Sequence, residues 1–167
     1  IEGNSDTSET YADVFDFRPL PADVQIGDLH VRSTAVYHSV EAYALTVEGP
    51  SEGGGSASLC YSGDTDECDG VVEACAGVDL FLCECGFTSE DTAEGIHLNG
   101  IKAARVAAKG QACKLLLTHI QPWTEASVCL NEAEGFLKSP EGEQLAGTAG
   151  LLNAKVGLAE DGKTYLL

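Results

Sequence analysis

Beyond residue 29 the chain alternates short apolar runs with polar stretches, and four of those runs stop on a residue able to do chemistry. Residues 31–37 end on His38, 59–61 on Ser62-Gly63-Asp64-Thr65, 78–82 on Cys83-Glu84-Cys85, and 115–118 on His119. Short apolar runs bounded by turn residues predict strands. In open α/β sheets ligands bind outside the carboxyl ends of the strands, so these terminal residues are expected on one edge. Two imidazoles and a carboxylate on that edge suit zinc, manganese or iron. A hydrolytic metal site is the first expectation.

The same pattern orders the elements. Residues 1–12 are polar and acidic and read as a connector, leaving 13–167 as one domain. Residues 14–20 predict a strand stopped by Pro19 and Pro21, Gly27-Asp28 a turn, and 29–38 and 40–48 two strands about the first candidate histidine. The glycine-rich stretch 49–56 is a hairpin tip. From Ser58 strands and helices alternate: a short helix over 66–76 closed by Gly77, a strand over 78–82, a helix N-capped by Asn99 and C-capped by Gly110, and a strand over 115–118. Strands joined by crossover helices imply a parallel section of sheet. Residues 148–167 predict two strands about an Asp161-Gly162 turn.

Charge changes the picture more than composition does. Nine Lys and Arg stand against 27 Asp and Glu, a formal charge of −18, which repels polyanions unless a basic face is set apart. Arg18, Arg32 and Arg105 are scattered, so nucleic acid is not expected as a partner. At 167 residues and 44% apolar content the chain can bury a core, and no apolar run is long enough to span a bilayer. The first residues lack the layout of a signal peptide, and a cytoplasmic location is expected. Seven cysteines, an odd count, fit buried thiols better than a disulfide framework. Cys83-x-Cys85 has no second pair to complete a four-sulfur site and reads as core.

Taken together, Tyr37-His38-Ser39, Tyr61-Ser62-Gly63-Asp64-Thr65 and Leu117-Thr118-His119-Ile120 resemble the metallo-β-lactamase-fold hydrolases, in the branch of RNase Z and related phosphodiesterases. The resemblance runs from about Leu29 to Trp123. It implies an α/β fold, an αββα sandwich of which this chain is the C-terminal part. It also implies two divalent metal ions, zinc first with manganese or iron as alternatives, bound by His38, Asp64 and His119, with Asp64 bridging. A carboxylate can hold two dications about 3.5–4 Å apart, where a bridging hydroxide becomes nucleophilic near neutral pH. Gly63 is expected to allow close backbone approach and Thr65 to orient the Asp64 carboxylate. By the same likeness His97, in Gly95-Ile96-His97-Leu98-Asn99, supports the site or contacts the phosphate, and Glu84 stands where the family has its glutamate.

The chain departs from that pattern in three ways. The His-x-His-x-Asp-His motif is absent, His30, His38, His97 and His119 being the only histidines, so a missing N-terminal half or a homo-oligomer is expected to complete the site. Cys83-Glu84-Cys85-Gly86 stands where RNase Z has His-Glu-Ala-Thr, and the general-acid role of that histidine does not carry over. No room exists between His38 and Asp64 for a tRNA-gripping arm. Cys83-Glu84, His97-Leu98-Asn99-Gly100 and residues 117–123 are similar to actinobacterial members of the branch, some of them cyclic-nucleotide phosphodiesterases. The expected function is therefore hydrolysis of a small phosphodiester such as cAMP by attack of a metal-bound hydroxide, with catalytic roles for His97 and Glu84. A tRNA 3′-processing endonuclease and a catalytically inactive interaction subunit are the alternatives.

Overall fold

In the computed structural model, which describes residues 14–19, 21–147 and 156–167, seven strands form one sheet whose spatial order follows the chain. β1 (Asp23–Ile26), β2 (Leu29–Ala35), β3 (Tyr43–Pro50) and β4 (Ser56–Tyr61) pair antiparallel. Tight turns at Gly27-Asp28 and over 51–55 allow this arrangement. β5 (Leu80–Glu84), β6 (Leu115–Thr118) and β7 (Val156–Leu158) then add in parallel. Their connections carry α1 (Asp69–Ala74), α2 (Gly100–Gly110), α3 (Ala126–Leu137) and α4 (Pro140–Ala146). Parallel strands β4 to β6 end on the same edge, which gathers the candidate residues there.

Alternation along the strands separates the two faces of the sheet. Cys60, Phe81, Cys83, Leu115 and Leu117 are fully buried under Ala103, Val106, Ala107 and Ala133 of the helices. Small side chains on α2 let it lie close, and its first residue must be glycine. A Cβ on Gly100 would stand 2.2 Å from the Cys129 carbonyl oxygen. On the other face Val31, Val47 and Leu59 are aligned across β2, β3 and β4, beside Leu45, Tyr61 and Leu82, and all six are only half-buried.

The hairpin tip, the Asn99 cap and the 115–118 strand stand as expected. Asn99 accepts from the Lys102 N–H at 2.9 Å. Four elements differ. Residues 15–19 carry no regular structure, and Leu20 and the connector at 1–12 lie outside the described residues. β2 stops at Ala35, because the Val36 N–H donates to the Ala42 carbonyl and turns the chain. Gly110 is the last helical residue of α2, and Gln111 caps it in the left-handed region, its amide donating to Ala108 and Leu145 carbonyls. No hairpin forms about Asp161-Gly162: β7 lies beside β6 and residues 163–167 carry no strand, while 148–155 lie outside the described residues. All seven cysteines are free, and Cys83 and Cys85 are buried in the core as expected.

Candidate metal centre

At the C-terminal edge of the parallel strands three histidine rings stand side by side. The His97 ring centroid is 5.6 Å from that of His38 and 5.2 Å from that of His119. Asp64, His97 and His119 each offer a ligand atom, all within 4.8 Å of one another. The His119 Nε2 to Asp64 Oδ1 distance of 3.7 Å is too long for a hydrogen bond. Zinc bonds of about 2.0–2.1 Å in a tetrahedral arrangement put ligand atoms about 3.4 Å apart. An anionic oxygen and neutral imidazole nitrogens at this spacing fit a divalent ion. In this group His97 stands where His38 was expected, beyond the supporting or phosphate-contacting role that the resemblance implies for it, and the His38 ring lies beside it.

His38 and His97 are each aimed by their other nitrogen. His38 donates from Nδ1 to the Ile96 carbonyl at 2.8 Å. His97 Nδ1 meets the Glu84 carboxylate at 2.9 Å. Both rings therefore keep Nε2 for the site, the arrangement that fixes a metal-binding tautomer. His119 follows β6 with φ 56, in the left-handed region that a non-glycine residue enters at a cost and that is concentrated at functional positions. Phe87 packs edge-on to the His97 ring at 5.0 Å. Gly86 makes room for that ring, since a Cβ there would lie 2.8 Å from His97 Cγ.

Glu84 is fully buried. Its Oε1 accepts from the Thr65 N–H at 3.0 Å and from His97, and its Oε2 accepts from the Gly86 N–H at 2.8 Å. Burial raises its pKa, opposed by these same donors. Thr65 does not orient Asp64 through its hydroxyl as expected. That hydroxyl donates to the Asp66 carbonyl at 2.7 Å and accepts the Tyr37 N–H at 3.2 Å, which pins the His38 segment beside the Asp64 segment. Gly63, at φ 62, sits against the Tyr43 carbonyl, where a Cβ would come within 2.4 Å, so the expected close approach is present.

Sequence reasoning passed over Asp66, which it read as the start of a helix. α1 begins only at Asp69, because the Asp66 carboxylate is committed elsewhere. Oδ2 accepts the Gly95 N–H at 2.8 Å, and Oδ1 accepts the Glu67 N–H at 2.7 Å and the Lys102 ammonium at 2.6 Å. Burial alone would raise the carboxyl, but Lys102 and the two backbone donors hold it below its usual range. Asp66 thereby holds the loop that presents His97. Its place directly after Ser-Gly-Asp-Thr was the available signal.

Residues 10–120 match the family model described as the β-lactamase superfamily domain. An uncharacterised protein of Mycobacterium leprae is 40% identical over 136 residues, 77% of this chain and 45% of that protein. The ribonuclease Z of Sulfolobus acidocaldarius is 41% identical over 64 residues, 38% of this chain and 22% of that protein. The crystal structure of the metallo-β-lactamase-fold protein YhfI from Bacillus subtilis superposes with a TM-score of 0.66 at 22% identity, over 84% of this chain and 51% of that one. The chain thus spans about half the length of the Mycobacterium leprae protein and of YhfI.

Proposed function

This chain belongs to the β-lactamase superfamily, and from that premise we propose that it carries part of the active site of a metal-dependent phosphodiesterase whose favoured substrate is a cyclic nucleotide such as cAMP. The observation that carries the reading is the convergence of Asp64, His97 and His119 within 4.8 Å, beside His38, with His38 and His97 each aimed by a partner of Nδ1. Two divalent ions, zinc first and manganese or iron as alternatives, would be held by His38, Asp64 and His119, with His97 as a further ligand. Bound there they supply Lewis acidity and bring a water molecule to ionise near neutral pH.

The chain's own residues then have distinct tasks. Asp64 presents two oxygens at the centre of the site. His97, its Nδ1 donating to Glu84, turns the lone pair of Nε2 towards the ions and the phosphoryl group that they would bind. Glu84 keeps that tautomer and has no contact with substrate. The remaining ligands come from a partner segment, the N-terminal half with its His-x-His-x-Asp-His motif or a second copy. The half-buried apolar face of Val31, Leu45, Val47, Leu59, Tyr61 and Leu82 offers it a packing surface. A cytoplasmic location agrees with seven free thiols. Among the described residues no helix is long and apolar enough to cross a membrane.

Similarity to a ribonuclease Z favours an RNA-processing reading, against which stands the charge of −18. Co-expression with the segment that bears the motif, followed by metal analysis and turnover of cAMP and precursor tRNA, tests the proposal. The expected result is bound metal, cAMP hydrolysis and little tRNA cleavage, with His97→Ala losing metal affinity and turnover together. Efficient tRNA cleavage with inertness towards cAMP would overturn the substrate. A folded, complete protein without metal would favour an inactive interaction subunit.

A further inference from the structure

Trp123 is the only tryptophan in the chain, and 82% of its surface is exposed. Folding leaves the largest aromatic ring in water although burying it would be favourable. The ring is carried on a tight turn, closed by the Thr124 N–H donating to the Gln121 carbonyl at 2.9 Å, four residues beyond His119. It lines a cleft of ≈ 690 Å³ shared with Phe87, Thr88, Asp91, His97 and Gln121, a volume in the range of small-molecule sites. His97 belongs both to this cleft and to the cluster with Asp64 and His119. One cleft therefore has both the proposed phosphoryl position and an indole on its walls.

The walls specify a ligand. Phe87 is engaged edge-on with His97 at an interplanar angle of 84°, so the Trp123 ring is the aromatic surface available for stacking. Asp91 Oδ2 accepts the Thr88 N–H and hydroxyl at 2.8 and 3.0 Å, which fixes that wall and leaves carboxylate lone pairs for a further donor. Glu90 adds a second carboxylate to the lining. Two acidic groups disfavour another phosphate beside them and favour a neutral ring that carries N–H donors, with the Gln121 amide able to pair with a ring edge. We propose that the Trp123 cleft is a base subsite: a planar, amino-bearing nitrogen heterocycle such as adenine stacks on the indole while its phosphodiester lies against His97. This deepens, and rests on, the phosphodiesterase reading above.

Trp123 emission is read as the difference between the complete, metal-loaded protein and its Trp123→Phe variant. The complete, metal-loaded protein is excited at the red edge of the indole band and titrated with adenosine 5′-monophosphate, ribose 5-phosphate and inorganic phosphate. The nucleotide should quench the emission, and the two base-free ligands should compete for the site without quenching. With cAMP, Trp123→Ala should raise KM about 10-fold with kcat nearly unchanged, and Trp123→Phe should recover most of the loss, in line with base–aromatic stacking. Quenching by ribose 5-phosphate equal to that by the nucleotide, or an unchanged KM in Trp123→Ala, would overturn the subsite. Hydrolysis of cAMP without nucleotide quenching removes the subsite and leaves the phosphodiesterase standing. Specific quenching without cleavage of any phosphodiester supports the subsite and removes the phosphodiesterase.

Discussion

Replacing Glu84 with glutamine separates the stability of the fold from the aim of His97. The carboxylate is an acceptor for three donors, the N–H groups of Thr65 and Gly86 and the His97 ring, and the glutamine amide has one oxygen to offer them. With that oxygen at the Oε1 position, the bonds to Thr65 and His97 survive and the new NH₂ faces the Gly86 N–H across 2.8 Å. With the amide turned over, Gly86 is satisfied, but the NH₂ meets the Thr65 N–H and pushes His97 into the tautomer with its proton on Nε2. A buried donor without a partner costs about 1–3 kcal/mol. Part of this is offset because the wild-type protein holds a desolvated carboxyl whose pKa burial raises. The net loss in urea unfolding should be about 1–2 kcal/mol. Metal affinity depends on the tautomer and should fall by about 10–100-fold, read by competition with a chromogenic chelator. A variant destabilised to this extent but binding metal as the parent does would refute the role of Glu84 in aiming His97.

Gly86→Ala adds a methyl group 2.8 Å from His97 Cγ. The ring must retreat from Glu84, so metal affinity should fall while calorimetric stability drops by about 1–3 kcal/mol; unchanged metal binding would show that the ring position does not matter. Lys102→Met leaves Asp66 with only backbone donors and should cost about 1–3 kcal/mol at neutral pH. Because Asp66 is held below its usual range, its contribution is present above the ordinary carboxylate pKa and is lost as pH falls through the folded value. The acid-unfolding midpoint of Lys102→Met should therefore move to higher pH, and an unshifted midpoint counts against the Asp66–Lys102 pair. Gly63→Ala meets both a left-handed backbone and a carbonyl 2.4 Å from the new Cβ and should give little folded protein by circular dichroism.

Legibility followed the physics of each segment. β6 is a continuous apolar run buried on both faces, and its limits Leu115–Thr118 were readable from hydrophobicity alone. Asn99 announced α2 because an Asx side chain before an alanine-rich run has few other uses. Nothing was assigned between residues 118 and 148, where α3 and α4 lie. In α3 the buried Cys129, Ala133, Phe136 and Leu137 recur at helical spacing, an unread signal, and α4 carried another, Ser139 capping the Gly142 N–H with Pro140 in the first turn. At the site, His38, Asp64 and His119 followed from strand ends. The partners of Glu84 and Asp66 did not, because they come from loops distant in sequence and meet only in the folded chain. The left-handed backbone of His119 had no sequence signal.

The hydrogen bonds around the three histidines form a closed circuit. The Tyr37 N–H binds Thr65, Thr65 binds Glu84, Glu84 binds His97, and the carbonyl of the preceding residue, Ile96, binds His38, the neighbour of Tyr37. In an open chain of ties, cutting one releases everything beyond it. In a ring, the severed ends are still held near each other by the path the other way round, so their effective concentration stays high and the broken contact is readily remade. Losing any one link should therefore loosen the site only modestly, and losing a second on the opposite side should cost far more than twice as much. Energetic coupling of this kind would spread across the segments at the ends of β2, β4 and β5. It would let drift at a single position be tolerated while the arrangement of imidazoles is inherited as a unit.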